Sequence, residues 1–150
     1  MEKNYPNIEV SYEFVDAVAM RLVQWPNSYD VLITSNLFGD ILTDEASVIS
    51  GSMGLMPSAS VGSENALYEP IHGSYPEAAG KNIANPIASI LSLSMMLDHS
   101  FNLKKESEII NKAVEESLKN KYVTPDLSSD KNSFSTDQVG DYIVDFIEKN

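Results

Sequence analysis

The stretch from Ile87 to Leu97, Ile-Ala-Ser-Ile-Leu-Ser-Leu-Ser-Met-Met-Leu, constrains this chain more than any other segment. Its apolar positions run almost all the way round a helix, so no wide face is left for water. It also contains three serines and is too short to span a bilayer, which needs ~20 residues. The segment is therefore predicted to be a buried core helix, opened by Pro86 in its first turn and running to about Asp98. A chain of 150 residues is about the size of one domain and can bury such a core.

The flanking segments supply the cover. Ser11 to Gln24 carries apolar residues at helical spacing (Phe14, Val15, Val18, Ala19, Leu22), and Trp25-Pro26 stops it. Asp30-Val31-Leu32-Ile33-Thr34 reads as a short buried parallel strand. Ser35-Asn36 then leads into a second helix, roughly Gly39 to Ser50. Glycine, proline and serine recur from Gly51 to Gly73, with short strands expected around Ala59-Ser60-Val61 and Leu67-Tyr68-Glu69. Ser74 to Asn85 reads as a loop. Lys104 to Asn120 is helical, and its Glu106, Glu108, Glu115 and Glu116 are a solvated face. Pro125 to Ser135 is a polar loop, and a last helix opens at Thr136-Asp137 and ends near Ile147. This order of elements predicts an α/β fold.

Charge narrows the function classes. The net charge of −12 argues against a nucleic-acid or anionic-membrane partner, since either would meet like charge. It leaves an anionic substrate open, because a bound divalent cation can invert the local field. The chain has no cysteine, which removes disulfides, thiolate metal sites and cysteine catalysis. It shows no signal-peptide pattern at its start. A soluble, cytoplasmic protein is the expectation.

Asp40 and Asp44 stand four apart, so on a helix they leave the same face with Cβ atoms ~6 Å apart. Two such carboxylates repel unless a cation lies between them or water screens them. Hard oxygen ligands of this kind suit Mg²⁺ or Mn²⁺. The same spacing also describes two solvated acids near a helix N-terminus, where acids are favoured. His99, after the apolar helix, reads as an ordinary helix-end histidine.

The wider motif is more specific. Asn36-Leu37-Phe38-Gly39-Asp40-Ile41-Leu42-Thr43-Asp44, continuing through Ala46-Ser47-Val48-Ile49-Ser50-Gly51-Ser52-Met53-Gly54-Leu55-Met56-Pro57-Ser58-Ala59-Ser60, closely resembles the defining motif of the isocitrate and isopropylmalate dehydrogenases. The Gly-Leu-Met-Pro-Ser-Ala-Ser portion is most like the isopropylmalate branch. The resemblance implies that Asp40 and Asp44 are metal ligands. Val15-Asp16-Ala17-Val18-Ala19-Met20 is similar to a further family segment, which makes Asp16 the third metal carboxylate. In the family this aspartate reaches the metal of the neighbouring subunit, so a homodimer is implied.

Glu69-Pro70-Ile71-His72-Gly73-Ser74-Tyr75-Pro76-Glu77-Ala78-Ala79-Gly80-Lys81-Asn82-Ile83-Ala84-Asn85-Pro86 resembles the family's cofactor loop. No Gly-x-Gly-x-x-Gly fingerprint occurs in the chain, so an ordinary Rossmann phosphate site is not indicated. The resemblance makes His72, Gly73, Ser74, Glu77, Ala78, Gly80 and Asn85 the cofactor-binding residues. His72 can pack against adenine, Asn85 can hydrogen-bond its edge, and Gly73 and Gly80 let the backbone approach. Glu77 can accept from both ribose hydroxyls of NAD and would repel a 2′-phosphate. Isopropylmalate dehydrogenases commonly have aspartate there, one methylene shorter.

The implied fold is the two-domain fold of this family, C-terminal part only. Residues 1–50 would belong to the dimer-forming, metal-binding second domain, and residues 51–150 to the C-terminal half of the NAD-binding first domain. The implied reaction is NAD-dependent oxidative decarboxylation of 3-isopropylmalate, a small 2-hydroxy acid, to 4-methyl-2-oxopentanoate in leucine biosynthesis. Asp16 and Asp40 would serve it through the metal. Isocitrate, homoisocitrate or tartrate are the alternative substrates, and a non-catalytic remnant is the alternative from another class. The family's proton-transferring lysine and tyrosine, and its carboxylate-binding arginines, lie upstream of the segment present here. Each domain is accordingly expected to lack strands of its sheet, Met1 to be internal or to start a truncated frame, and the 150 residues alone to be inactive.

Overall fold

A computed structural model describes residues 4–128 and 132–150. The chain divides into two compact units, one ending at Ala46 and the other running from Ser47 to Asn150. Among the described residues, no helix is long and apolar enough to cross a membrane.

The first unit contains α1 (Val15–Gln24), a 3₁₀ turn (Pro26–Ser28) and most of α2 (Asn36–Ser50). Val18 and Leu22 of α1 pack with Leu42 of α2, and Val15, Ala19 and Tyr29 close over them. Helix α1 begins at Val15 rather than Ser11, leaving Tyr12 and Phe14 exposed. Glu13, just before it, accepts from Arg21 and, at 2.7 Å, from the Tyr29 hydroxyl, which ties the helix entry to its exit. Helix α2 starts at Asn36, three residues earlier than periodicity suggests. Gly39 lies inside its first turn, its N–H bonded to the Ser35 carbonyl at 2.9 Å.

The expected strand at Asp30–Thr34 is not formed. Val31 and Ile33 are 80% and 83% exposed, and no strand pairs with this segment among the described residues. The β-branched run supplies the propensity. A parallel ladder still requires neighbouring strands to accept its hydrogen bonds.

The second unit is a hairpin with three helices. Strands β1 (Pro57–Val61) and β2 (Ala66–Pro70) pair antiparallel, with Pro57 opposite Pro70 and Val61 opposite Ala66. Helices α3 (Ile87–His99), α4 (Lys104–Lys119) and α5 (Thr136–Glu148) enclose a core of Ile87, Ala113, Val114, Val139 and Ile143. Leu55, Ile90, Leu91, Phe134, Phe146 and Ile147 pack around it.

Helix α3 is a packing element, but its buried positions include small polar ones. Ser92 and Ser94 are buried, whereas Leu93 is 44% exposed. The Ser94 hydroxyl lies 2.8 Å from that of Ser107 and 2.9 Å from Asn111 Oδ1, so the α3–α4 contact is hydrogen-bonded as well as apolar. Part of the polar loop expected from Pro125 to Ser135 lies outside the described residues. Its described start is a 3₁₀ turn, Pro125–Leu127.

The N-terminal amides of α5 are satisfied by two different stretches of chain. Ser135 and Gln138 form a capping box, with the Ser135 hydroxyl accepting from the Gln138 N–H. Asn82, in the loop before α3, supplies the other acceptors: its carbonyl takes the Thr136 N–H at 3.1 Å, and its side-chain oxygen takes the Asp137 N–H at 3.2 Å. Asn82 does this with φ +56°, in the left-handed region.

Candidate functional site

Asp40 and Asp44 sit one turn apart on α2, both exposed. The Asn36 side chain donates to Asp40 Oδ2 at 3.0 Å and so orients that carboxylate from the preceding turn. Asp16 is exposed at the start of α1, where its Oδ1 accepts the Ala17 N–H at 2.8 Å. Among the described residues, no three carboxylates or histidines lie close enough together to hold a metal ion. The three aspartates therefore do not make a complete site within one copy of the chain. Asp40 and Asp44 offer a hard, anionic edge that fits two positions of a divalent cation's coordination shell, with further oxygen ligands required from elsewhere.

The second unit holds a pocket of about 350 Å³, the size of a small-molecule site. It is lined by three stretches of chain. His72 to Tyr75 and Ile83 to Asn85 come from the loop before α3, Ser52 to Gly54 follow α2, and Asp126 comes from the turn after α4. Of the residues singled out in the sequence, His72, Gly73, Ser74 and Asn85 thus come together. Glu77 is exposed on the adjoining 3₁₀ turn (Pro76–Ala78), where Ala78 is buried, and neither lines the pocket. Gly80 does not line it either. A Cβ there would meet nothing within 4 Å, and glycine is favoured by its φ of +74° instead. A larger hollow of about 460 Å³ lies against α3, α4 and α5, but no candidate residue lines it.

Local bonding fixes the pocket walls. His72 Nδ1 donates to the Gly73 carbonyl at 3.0 Å, which holds the imidazole against the backbone. Both ends of the Asn85 amide are engaged. Oδ1 accepts the Ile87 N–H at 3.0 Å, capping α3, and Nδ2 donates to Asp126 Oδ2 at 3.0 Å. Gly54 packs directly on Asn85: a Cβ there would stand 2.6 Å from the Asn85 Cβ. Among the described residues, no lysine or arginine lines the pocket.

Asp126 is the residue that sequence reasoning missed. Its carboxylate accepts from Ser52 Oγ (2.5 Å), Thr124 Oγ1 (2.5 Å) and Asn85 Nδ2 (3.0 Å). Partial burial pushes the carboxyl up, but these three hydrogen bonds and one from its own backbone together hold it below its ordinary value. The signal available in the sequence was a Thr-Pro-Asp turn, which reads as local turn chemistry and gives no hint of a bond to Ser52.

These features carry clear relatives. Residues 1–143 match the isocitrate/isopropylmalate dehydrogenase family, and the chain belongs to that family. It is 50% identical to a 3-isopropylmalate dehydrogenase of Aquifex aeolicus over 149 residues, covering 99% of this chain and 41% of the relative. It is 49% identical to a 3-isopropylmalate dehydrogenase of Thermotoga maritima over 148 residues, covering 98% and 42%. Among solved structures, it superposes on an isocitrate dehydrogenase from Methylococcus capsulatus with TM-score 0.92 and 41% identity, over 97% of this chain and 42% of that one. A β-decarboxylating dehydrogenase from Thermococcus kodakarensis gives TM-score 0.83 at 40% identity, with the same coverage. The chain spans about two fifths of the length of the curated relatives it matches.

Proposed function

We propose that this chain supplies the metal-binding helix and the cofactor pocket of an NAD-dependent dehydrogenase that oxidises and decarboxylates 3-isopropylmalate, in leucine biosynthesis in the cytoplasm. The observation that carries the proposal is the convergence of His72, Gly73, Ser74 and Asn85 on one pocket in a chain half identical to 3-isopropylmalate dehydrogenases.

In this reading the pocket takes the adenosine half of NAD. His72 offers a flat face for the base, fixed by its bond to the Gly73 carbonyl. Gly73 leaves the wall open, since a Cβ there would meet nothing within 4 Å. The neighbouring Glu77 accepts from ribose hydroxyls. A 2′-phosphate would meet Glu77 and Asp126 with no basic residue among the described residues of the pocket wall, which favours NAD over NADP.

On α2, Asp40 and Asp44 hold Mg²⁺ or Mn²⁺, with Asn36 keeping Asp40 in position. Asp16 of a second copy completes the site, so the working unit is a homodimer. When bound, the cation supplies electrostatic stabilisation of the charge that develops on the substrate oxygen, and NAD accepts the hydride. The aspartates contribute by binding and orientation, and proton transfer falls to residues beyond this segment.

The decisive measurement is NADH formation by the full-length protein, with Mn²⁺ and a panel of 3-isopropylmalate, isocitrate, homoisocitrate and tartrate. Turnover of 3-isopropylmalate with NAD at least tenfold more efficient than with the other acids is expected. Preference for isocitrate, the substrate in the name of the structural relative at TM-score 0.92, would replace the substrate while leaving the reaction class intact.

A further inference from the structure

Asn85 occupies the pocket wall immediately before α3, and its side chain has no freedom. Gly54 lies against its Cβ, the Ile87 N–H holds its oxygen, and Asp126 holds its nitrogen. The Asp126 bond extends further. The Gly54 N–H donates to Ser52 Oγ at 3.0 Å, and Ser52 Oγ donates to the same Asp126 oxygen that Asn85 reaches. One carboxylate oxygen therefore joins the segment after α2 to the segment before α3, partners 74 and 41 residues away in the chain. Thr124 anchors the other oxygen.

We propose that Asp126 is a positioning residue for the cofactor: by holding Ser52 and Asn85 together it sets the width of the pocket that receives the adenosine half of the dinucleotide. The inference rests on reading that pocket as the NAD site. Asp126 accepts only, so it can bind two amide or hydroxyl donors on one oxygen while remaining ionised. An asparagine in its place keeps the shape but must turn either its oxygen or its NH₂ toward these donors. With its oxygen turned to Ser52 and Asn85 it holds both without charge assistance and sets its NH₂ against Thr124; turned the other way it releases both. The loss is felt where the ligand touches the walls. It is not felt at α2, whose aspartates belong to the other unit.

The test uses the full-length protein and its Asp126→Asn and Ser52→Ala variants. ADP-ribose binding is measured by calorimetry, together with KM for NAD, kcat, KM for the hydroxy-acid substrate, and thermal unfolding. For Asp126→Asn, ADP-ribose affinity falls about tenfold and KM for NAD rises equally, the size of one lost charge-assisted hydrogen bond. The kcat and the substrate KM stay within about twofold. Ser52→Ala, which removes one donor and leaves the carboxylate two other side-chain donors, weakens ADP-ribose about threefold. It also decides the question if Asp126→Asn does not fold. Unchanged ADP-ribose affinity in a folded variant overturns the role of Asp126, as does a fall in kcat and substrate affinity as large as the fall in cofactor affinity. Failure of the unsubstituted protein to bind either NAD or ADP-ribose instead overturns the reading of the pocket, and the inference with it.

Discussion

Asn82 grips Asp137 at two points: its amide nitrogen donates to the Asp137 carboxylate at 2.9 Å, and its amide oxygen accepts the Asp137 backbone N–H at 3.2 Å. The pair fastens the loop carrying His72 to Asn85 onto the first turn of α5. Left-handed backbone at Asn82 (φ +56°) makes the geometry possible. Replacing Asn82 with alanine removes both bonds and leaves a Cβ in a conformation that costs about 1–2 kcal/mol. Replacing it with glycine removes the bonds alone. Denaturant titration is expected to rank the proteins wild type, Asn82→Gly, Asn82→Ala, with the alanine variant about 2 kcal/mol below wild type. An alanine variant as stable as the glycine variant would contradict the strain argument.

Gly54 and Gly73 line the same pocket but differ in what surrounds them. A Cβ on Gly54 would fall 2.6 Å from the Cβ and 2.9 Å from the Cγ of Asn85, whereas one on Gly73 meets nothing within 4 Å. Gly54→Ala should therefore destabilise the protein by about 1–3 kcal/mol through overpacking. Gly73→Ala should cost under about 0.5 kcal/mol. Equal unfolding midpoints for the two variants would show that Asn85 yields more easily than its three contacts imply.

The Asp126 carboxyl titrates below its ordinary value of 3.8. A carboxylate with a depressed folded-state value contributes stability that is complete above the unfolded value and is lost as pH falls through the folded one. Because the residue is exposed to solvent, the contribution is held to about 1 kcal/mol. The stability gap between wild type and Asp126→Asn should be constant from about pH 5 to 7 and close as the pH drops below about 4. A gap that grew on acidification would mean the carboxyl is raised rather than lowered.

If Asp16 serves a second copy's Asp40 and Asp44, damage at the two places is complementary. Full-length Asp16→Asn and Asp40→Asn proteins should each lose at least about a hundredfold in kcat/KM, the scale of a lost metal ligand. Co-refolding the two should restore activity, because mixed dimers contain one site with all three aspartates intact. Absence of recovery in verified mixed dimers would place Asp16 in the same copy's site or in none.

Helices α3, α4 and α5 and both strands were legible to within a residue or two at each end, because periodicity, Pro86 and the polar start at Thr136-Asp137 act over a few residues. The segment at Val31–Ile33 was not. Its composition is that of a strand, yet pairing depends on backbone from other segments. Helix α2 starts three residues before its expected position because the Ser35 carbonyl already accepts the first helical bond, from the Gly39 N–H. At the site, the gathering of His72, Gly73, Ser74 and Asn85 followed from one contiguous motif. Ser52, Gly54 and Asp126 entered through contacts between distant segments, which no local spacing records.

The stitching of the pocket from residues 52, 85 and 126 has a thermodynamic consequence. Its walls meet only when segments 41 and 74 residues apart in the chain are brought together, so a molecule that fits it recognises the native state and not its precursors. Occupancy then acts as a global brace. At a hundred times its dissociation constant a ligand would add about 2.7 kcal/mol to unfolding, felt alike at β1 and at the far end of α5.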